Sequence, residues 1–78
     1  MDKSEVQEMY GDRLEAIGNK YNMSVDNEKV IIESTVIIPI STIWAVNDYE
    51  TFYRIITDDY SFYISMTEFK IVVNKYQQ

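Results

Sequence analysis

The sequence predicts an α+β fold with an N-terminal helix, a meander of three to four antiparallel strands and a C-terminal helix, packed as a two-layer sandwich. Three observations predict it: helical apolar spacing near the N-terminus, β-branched runs between residues 29 and 64, and helical apolar spacing again at the end. The 78 residues contain no internal repeat and no linker-like segment. Residues 1–78 are therefore expected to form a single domain.

The first helix is expected from about Glu5 to Tyr21. One stripe of apolar side chains recurs there at steps of three or four residues: Val6, Tyr10, Leu14, Ile17 and Tyr21. Ser4 and Gln7 form a capping-box pattern at its start. Gly11 and Gly18 each weaken a helix by about 1 kcal/mol relative to alanine, so the helix is expected to depend on tertiary packing.

β-branched and aromatic residues dominate the middle of the chain, after a polar segment at 22–27 that is predicted to be a turn. Strands are predicted at residues 29–33, 35–38, 41–46, 51–57 and 60–64. Pro39 cannot donate a hydrogen bond to a sheet, so it is expected at an edge, a bulge or the break between two strands.

The last two of these strands are predicted to form a hairpin, with Asp58 and Asp59 as its two-residue turn. In that register Ile55 faces Phe62, and one face of the hairpin is almost wholly apolar. This face is expected in the core.

The C-terminal segment is predicted to be a second amphipathic helix. Ser65 with Glu68 repeats the capping-box pattern. Apolar side chains then follow at helical spacing, namely Met66, Phe69, Val72, Val73 and Tyr76.

The composition excludes several chemistries. The chain has no cysteine and no histidine, which removes thiol nucleophiles, imidazole bases and the usual zinc ligands. There is no glycine-rich phosphate loop and no calcium-loop spacing. We expect no enzyme activity, no cofactor and no metal site, although magnesium held by a few carboxylates stays an open alternative. The polar N-terminus and the lack of a long apolar segment predict a cytoplasmic protein.

The charge predicts the kind of partner. Thirteen Asp and Glu against seven Lys and Arg give a net charge of −6 and a pI near 4.4. Direct binding of nucleic acid requires the opposite sign, because its affinity comes from neutralising phosphates. An acidic surface attracts a basic protein and speeds encounter with it.

A row of carboxylates on the first helix is the main candidate site. Its members, spaced three, four and three residues apart, are Glu5, Glu8, Asp12 and Glu15. Carboxylates in two predicted turns extend it if the fold gathers them: Asp48, Glu50, Asp58 and Asp59. The alternatives are a plain solvated helix face and ordinary turn chemistry, both of which favour the same residue types.

A second candidate is the sheet face opposite the core. Alternation along the strands gives this face an apolar set that comprises Trp44, Phe52, Ile56 and Tyr63. If nothing covers it, two copies are expected to pack through it as a homodimeric scaffold or adaptor. A small-molecule regulator is a third alternative, although so short a chain leaves little volume for a pocket.

The segment from Val30 to Tyr76, which includes "ISTIWAVND" and "TDDYSFYIS", resembles two bacterial modules in its apolar rhythm. These are the output domain of LytTR-type regulators and small flagellar proteins of the FlbD type. The basic residues with which the LytTR family binds DNA are absent here, so DNA binding is not implied.

In size, acidity, tyrosine content and lack of catalytic residues, the whole chain resembles small bacteriophage proteins that disable host proteins, including inhibitors that mimic DNA. That resemblance implies occupation of the basic site of a nucleoid protein, a repair enzyme or a CRISPR nuclease in the bacterial cytoplasm. The acidic row of the first helix would then stand in for phosphates.

Overall fold

The computed structural model describes residues 3–75, apart from the side chains of Lys3, Val6, Met9, Tyr10 and Asp12. One helix, α1 (Lys3–Lys20), is followed by seven strands in two antiparallel sheets. Sheet A consists of β1 (Met23–Val25), β2 (Lys29–Ile32) and β3 (Val36–Pro39). Sheet B consists of β4 (Ile43–Asp48), β5 (Phe52–Thr57), β6 (Tyr60–Ser65) and β7 (Ile71–Lys75).

Helix α1 confirms the predicted N-terminal helix. Leu14, Ile17 and Tyr21 from its apolar stripe are buried, whereas the side chains of Val6 and Tyr10 lie outside the described part. Ser4 is inside the helix, which begins at Lys3, so the capping-box prediction for its start is wrong.

The strands form two sheets instead of the single meander that we predicted. The segment predicted as a turn at 22–27 contains β1, which pairs with β2 through Met23 opposite Ile32. Three residues, Glu33, Ser34 and Thr35, join β2 to β3, and the first two have positive φ angles, 56° and 60°. This pair of left-handed residues matches the twist of a tight hairpin.

Pro39 marks the break between the sheets, as expected. It ends β3, an edge strand of sheet A, and precedes a turn of 3₁₀-helix at Ile40–Thr42. Pro39 has no backbone N–H to donate, and after one further hydrogen bond, from the N–H of Ile40 to the oxygen of Glu28 at 2.9 Å, the chain turns into sheet B. The predicted hairpin is also confirmed, with Ile55 opposite Phe62 and Tyr53 opposite Ile64.

The core lies where α1, sheet A and one face of sheet B meet. We call that face the inner face of sheet B. Side chains with at most 1% exposure come from all three parts: Ile17, Val30, Ile32, Ile38, Ile40, Ile55 and Ile64. Burial of β-branched and other aliphatic groups, each worth about 1.5–3 kcal/mol, provides most of the stabilisation.

The predicted C-terminal helix is absent, and with it the two-helix sandwich. Ser65 does cap a turn, since its Oγ accepts hydrogen bonds from the backbone N–H of Thr67 and of Glu68. The chain then extends as β7, which pairs with β6 through Val73 opposite Phe62. Three consecutive β-branched residues begin at Ile71 and fit a sheet better than a helix.

Candidate functional site

The described carboxylates of α1 point to solvent. Glu5, Glu8 and Glu15 are exposed, while the side chain of Asp12 lies outside the described part. Glu8 and Glu15 are seven residues apart, so they lie on one side of the helix, separated by about 10 Å along its axis. Within the described part, neither carboxylate accepts a hydrogen bond or forms an ion pair.

The turn carboxylates do not all lie together. Asp48 and Glu50 lie at one end of sheet B, and Asp58 and Asp59 lie at the other. The intervening strand β5 has six residues, or about 20 Å of extended chain. The turns therefore form two separate acidic groups.

Some carboxylates serve the fold. Asp58 accepts a hydrogen bond from the indole N–H of Trp44. Asp26 accepts from the backbone N–H of Glu28 and of Lys29 at 2.8 and 2.9 Å, which closes the turn between β1 and β2. Glu33 accepts from the backbone N–H of Asn22.

Other exposed carboxylates have no hydrogen bond and no ion pair among the described residues. We call them the free carboxylates: Glu8, Glu15, Glu28, Asp48, Glu50, Asp59 and Glu68. Glu68 was not among the predicted site residues, and no spacing pattern in the sequence distinguishes it. The negative charge of these groups is not neutralised within the described chain, so it acts on the surroundings.

The second candidate surface is the outer face of sheet B, opposite the core. Phe52, Arg54 and Ile56 alternate along β5, and Tyr63 lies directly across from Arg54. The predicted apolar residues Phe52, Ile56 and Tyr63 are thus together and half-buried. Trp44 lies where the β4–β5 register shifts between Ile43 and Ala45, and it is 57% exposed.

Aromatic rings are in contact along this outer face. The Tyr49 and Phe52 rings stack with centroids 4.6 Å apart, and the Phe52 and Tyr63 centroids are 5.6 Å apart. The guanidinium carbon of Arg54 lies 5.4 Å from the Tyr63 ring centroid. Its Nε is buried and has no hydrogen-bond partner in the described structure. Stacked rings around a cation make a preformed, rigid contact surface.

Two concave regions are bordered by described residues of the chain. An open groove of about 450 Å³ runs between α1 and β1 and is bordered by Glu15, Gly11, Gly18 and Met23. A cavity of about 250 Å³ opens where the edge strand β3 meets β6 and β7. We call it the seam cavity; sequence reasoning missed it because its walls come from both sheets.

Among residues 3–75, no three carboxylates lie close enough together to hold a metal ion. No described helix has the length and apolar character needed to cross a bilayer. No protein-family model, no curated protein and no solved structure matches this chain. The chemistry of its own surfaces is therefore the basis for the function proposed below.

Proposed function

We propose that this chain is a non-enzymatic inhibitor that binds the basic site of a nucleic-acid-binding host protein in the bacterial cytoplasm, in place of DNA. The observation that carries the proposal is the set of free carboxylates. Exposed acidic groups without an internal cation supply the field that a basic surface recognises. A nucleoid protein, a repair enzyme or a CRISPR nuclease has a site of the required charge.

The α1 carboxylates support imitation of DNA in particular. Glu8 and Glu15 are separated by about 10 Å along the helix axis. Three nucleotides of one strand advance by about the same distance, at 3.4 Å each. A row of lysines or arginines spaced for phosphates would meet both carboxylates without rearrangement.

The test uses two charge-matched variants. Glu8→Gln with Glu15→Gln removes two negative charges from α1. Glu28→Gln with Asp48→Asn removes two free carboxylates elsewhere and leaves the same net charge. Each variant and the wild type serve as bait for a bacterial lysate at low salt, followed by a salt gradient and identification of the eluted proteins.

We expect basic nucleic-acid-binding proteins to leave the wild-type bait together as salt rises, since the Debye length falls from about 10 Å at 0.1 M to about 3 Å at 1 M. Added duplex DNA is expected to displace them. The α1 variant should bind the captured protein more weakly by up to about 30-fold, because each of the two exposed pairs contributes up to about 1 kcal/mol.

Three results contradict the proposal. Equal losses in the two double variants would contradict the imitation of a phosphate row by α1 and would make net charge the determinant. Retention at high salt would exclude pairing between exposed charges. Failure of duplex DNA to compete would exclude occupation of a nucleic-acid site, even if a basic partner were found.

The stacked rings of the outer face favour a second function, a homodimeric scaffold or adaptor. In that case Tyr63→Asp or Phe52→Asp converts a dimer into a monomer, because a buried unpaired carboxylate is costly. Ser41→Asp, at an exposed position, adds the same charge as a control. Light scattering during gel filtration measures the mass. A monomeric wild type at high concentration would exclude this function.

A further inference from the structure

The seam cavity concentrates exposed apolar side chains at one concave place. Ile37, Tyr60 and Val73 line it, and they are 57%, 45% and 48% exposed. Ile38 and Phe62 form its buried floor. Exposed apolar groups around a cavity mark a contact site for another molecule.

Among the described residues that line the seam cavity, Asp59 alone carries a charge. Its neighbour Asp58 is bound to Trp44, whereas Asp59 accepts no hydrogen bond and forms no ion pair within residues 3–75. A free carboxylate beside apolar walls complements a side chain that carries a cation on an aliphatic stem.

The size of the cavity suits a side chain better than a separate ligand. Ligand pockets usually measure about 300–1,000 Å³, whereas the seam cavity measures about 250 Å³. We infer that the seam cavity receives an arginine side chain from a partner protein. The guanidinium pairs with Asp59 and stacks on the ring of Tyr60, a combination that the compact ammonium of lysine reproduces poorly.

Lys75 affects the same site. The register places it directly opposite Tyr60, and it forms no ion pair with Asp59 in the described structure. Its positive charge opposes the entry of a second cation into this end of the sheet. Removal of that charge is therefore expected to strengthen binding of arginine.

The test is a titration of the ¹⁵N-labelled full chain followed by NMR. The probe is the capped tripeptide Val-Arg-Val, and the control peptide has citrulline, which keeps the shape but has no charge. With the arginine peptide we expect a dissociation constant on the order of 1 mM and shifts at Ile37, Asp59, Tyr60 and Val73. Citrulline, or Asp59→Asn, should weaken binding by up to about fivefold, because the lost pair is exposed.

Two further variants make the test specific. Asp48→Asn removes a free carboxylate from the opposite end of sheet B and should leave the affinity unchanged, whereas Lys75→Gln should increase it. Equal affinity for both peptides, no effect of Asp59→Asn, or no shifts at about 10 mM peptide would overturn the inference. It stands apart from the α1 proposal, because Glu8→Gln with Glu15→Gln is expected to leave the shifts at the seam cavity unchanged.

Discussion

The hydroxyl of Tyr21 holds the segment that replaces the predicted C-terminal helix. It lies 2.5 Å from the backbone oxygen of Ser65, and the backbone N–H of Lys70 donates to it at 3.1 Å. The backbone oxygens of Glu68 and Lys70 also lie within 3.1 Å of the Tyr21 hydroxyl. The ring of Tyr21 stacks on Phe69 with centroids 4.9 Å apart. One side chain at the end of α1 thus organises the loop between β6 and β7.

Tyr21→Phe keeps the ring and its stacking and removes only the hydroxyl. The N–H of Lys70 retains a second acceptor, the oxygen of Glu68 at 2.9 Å, so the principal loss is the short hydrogen bond to Ser65. Because Tyr21 is only 2% exposed, water has poor access to the Ser65 oxygen and does not replace the lost hydroxyl as its donor. The expected cost is about 1–3 kcal/mol in the free energy of unfolding.

Urea denaturation followed by circular dichroism measures this cost, and a thermal scan should show Tm lower by about 4–8 °C per kcal/mol. Tyr49→Phe is the matched control, since Tyr49 is 43% exposed and its hydroxyl has no hydrogen bond within the described structure. If the two variants were equally stable, the hydroxyl of Tyr21 would not hold the loop.

Three other predictions concern stability in urea. Gly18→Ala should stabilise the chain by about 0.5–1 kcal/mol, because an added Cβ meets nothing within 4 Å; a loss would mean that the helix is strained there. Ser34→Gly should raise the free energy of unfolding by about 1 kcal/mol, because Ser34 has a φ of 60° that glycine adopts without strain. No gain in stability would argue against a left-handed turn. Ile55→Ala should cost about 2–5 kcal/mol at a position that is 0% exposed; a cost under 1 kcal/mol would place Ile55 outside the core.

Sequence patterns over a few neighbouring residues correctly predicted the helix α1 and the hairpin of β5 and β6. The helix position followed from the spacing of Leu14, Ile17 and Tyr21. The hairpin register followed from a two-residue turn at Asp58 and Asp59, since alternation with a period of two leaves one register with the apolar groups on one face.

The C-terminal prediction failed because two local signals conflicted. The spacing of Met66, Phe69 and Val73 and the cap at Ser65 favoured a helix. The β-branched run that begins at Ile71 favoured a strand, and the free edge of β6 and the hydroxyl of Tyr21 decided for the strand. β6 is the preceding strand in the sequence, but Tyr21 lies more than 40 residues before the segment that it holds, so no local window contains both.

The sequence by itself determined the helix, the core hairpin, the break at Pro39 and the excess of negative charge, because each depends on residue type or on neighbours a few positions away. The tertiary structure alone decided which carboxylates are free, that the acidic turns lie at opposite ends of sheet B, and that β3 meets β6 and β7 around a cavity beside Asp59. These features depend on contacts between residues far apart in the chain, and their geometry is set by how the two sheets pack around a shared core.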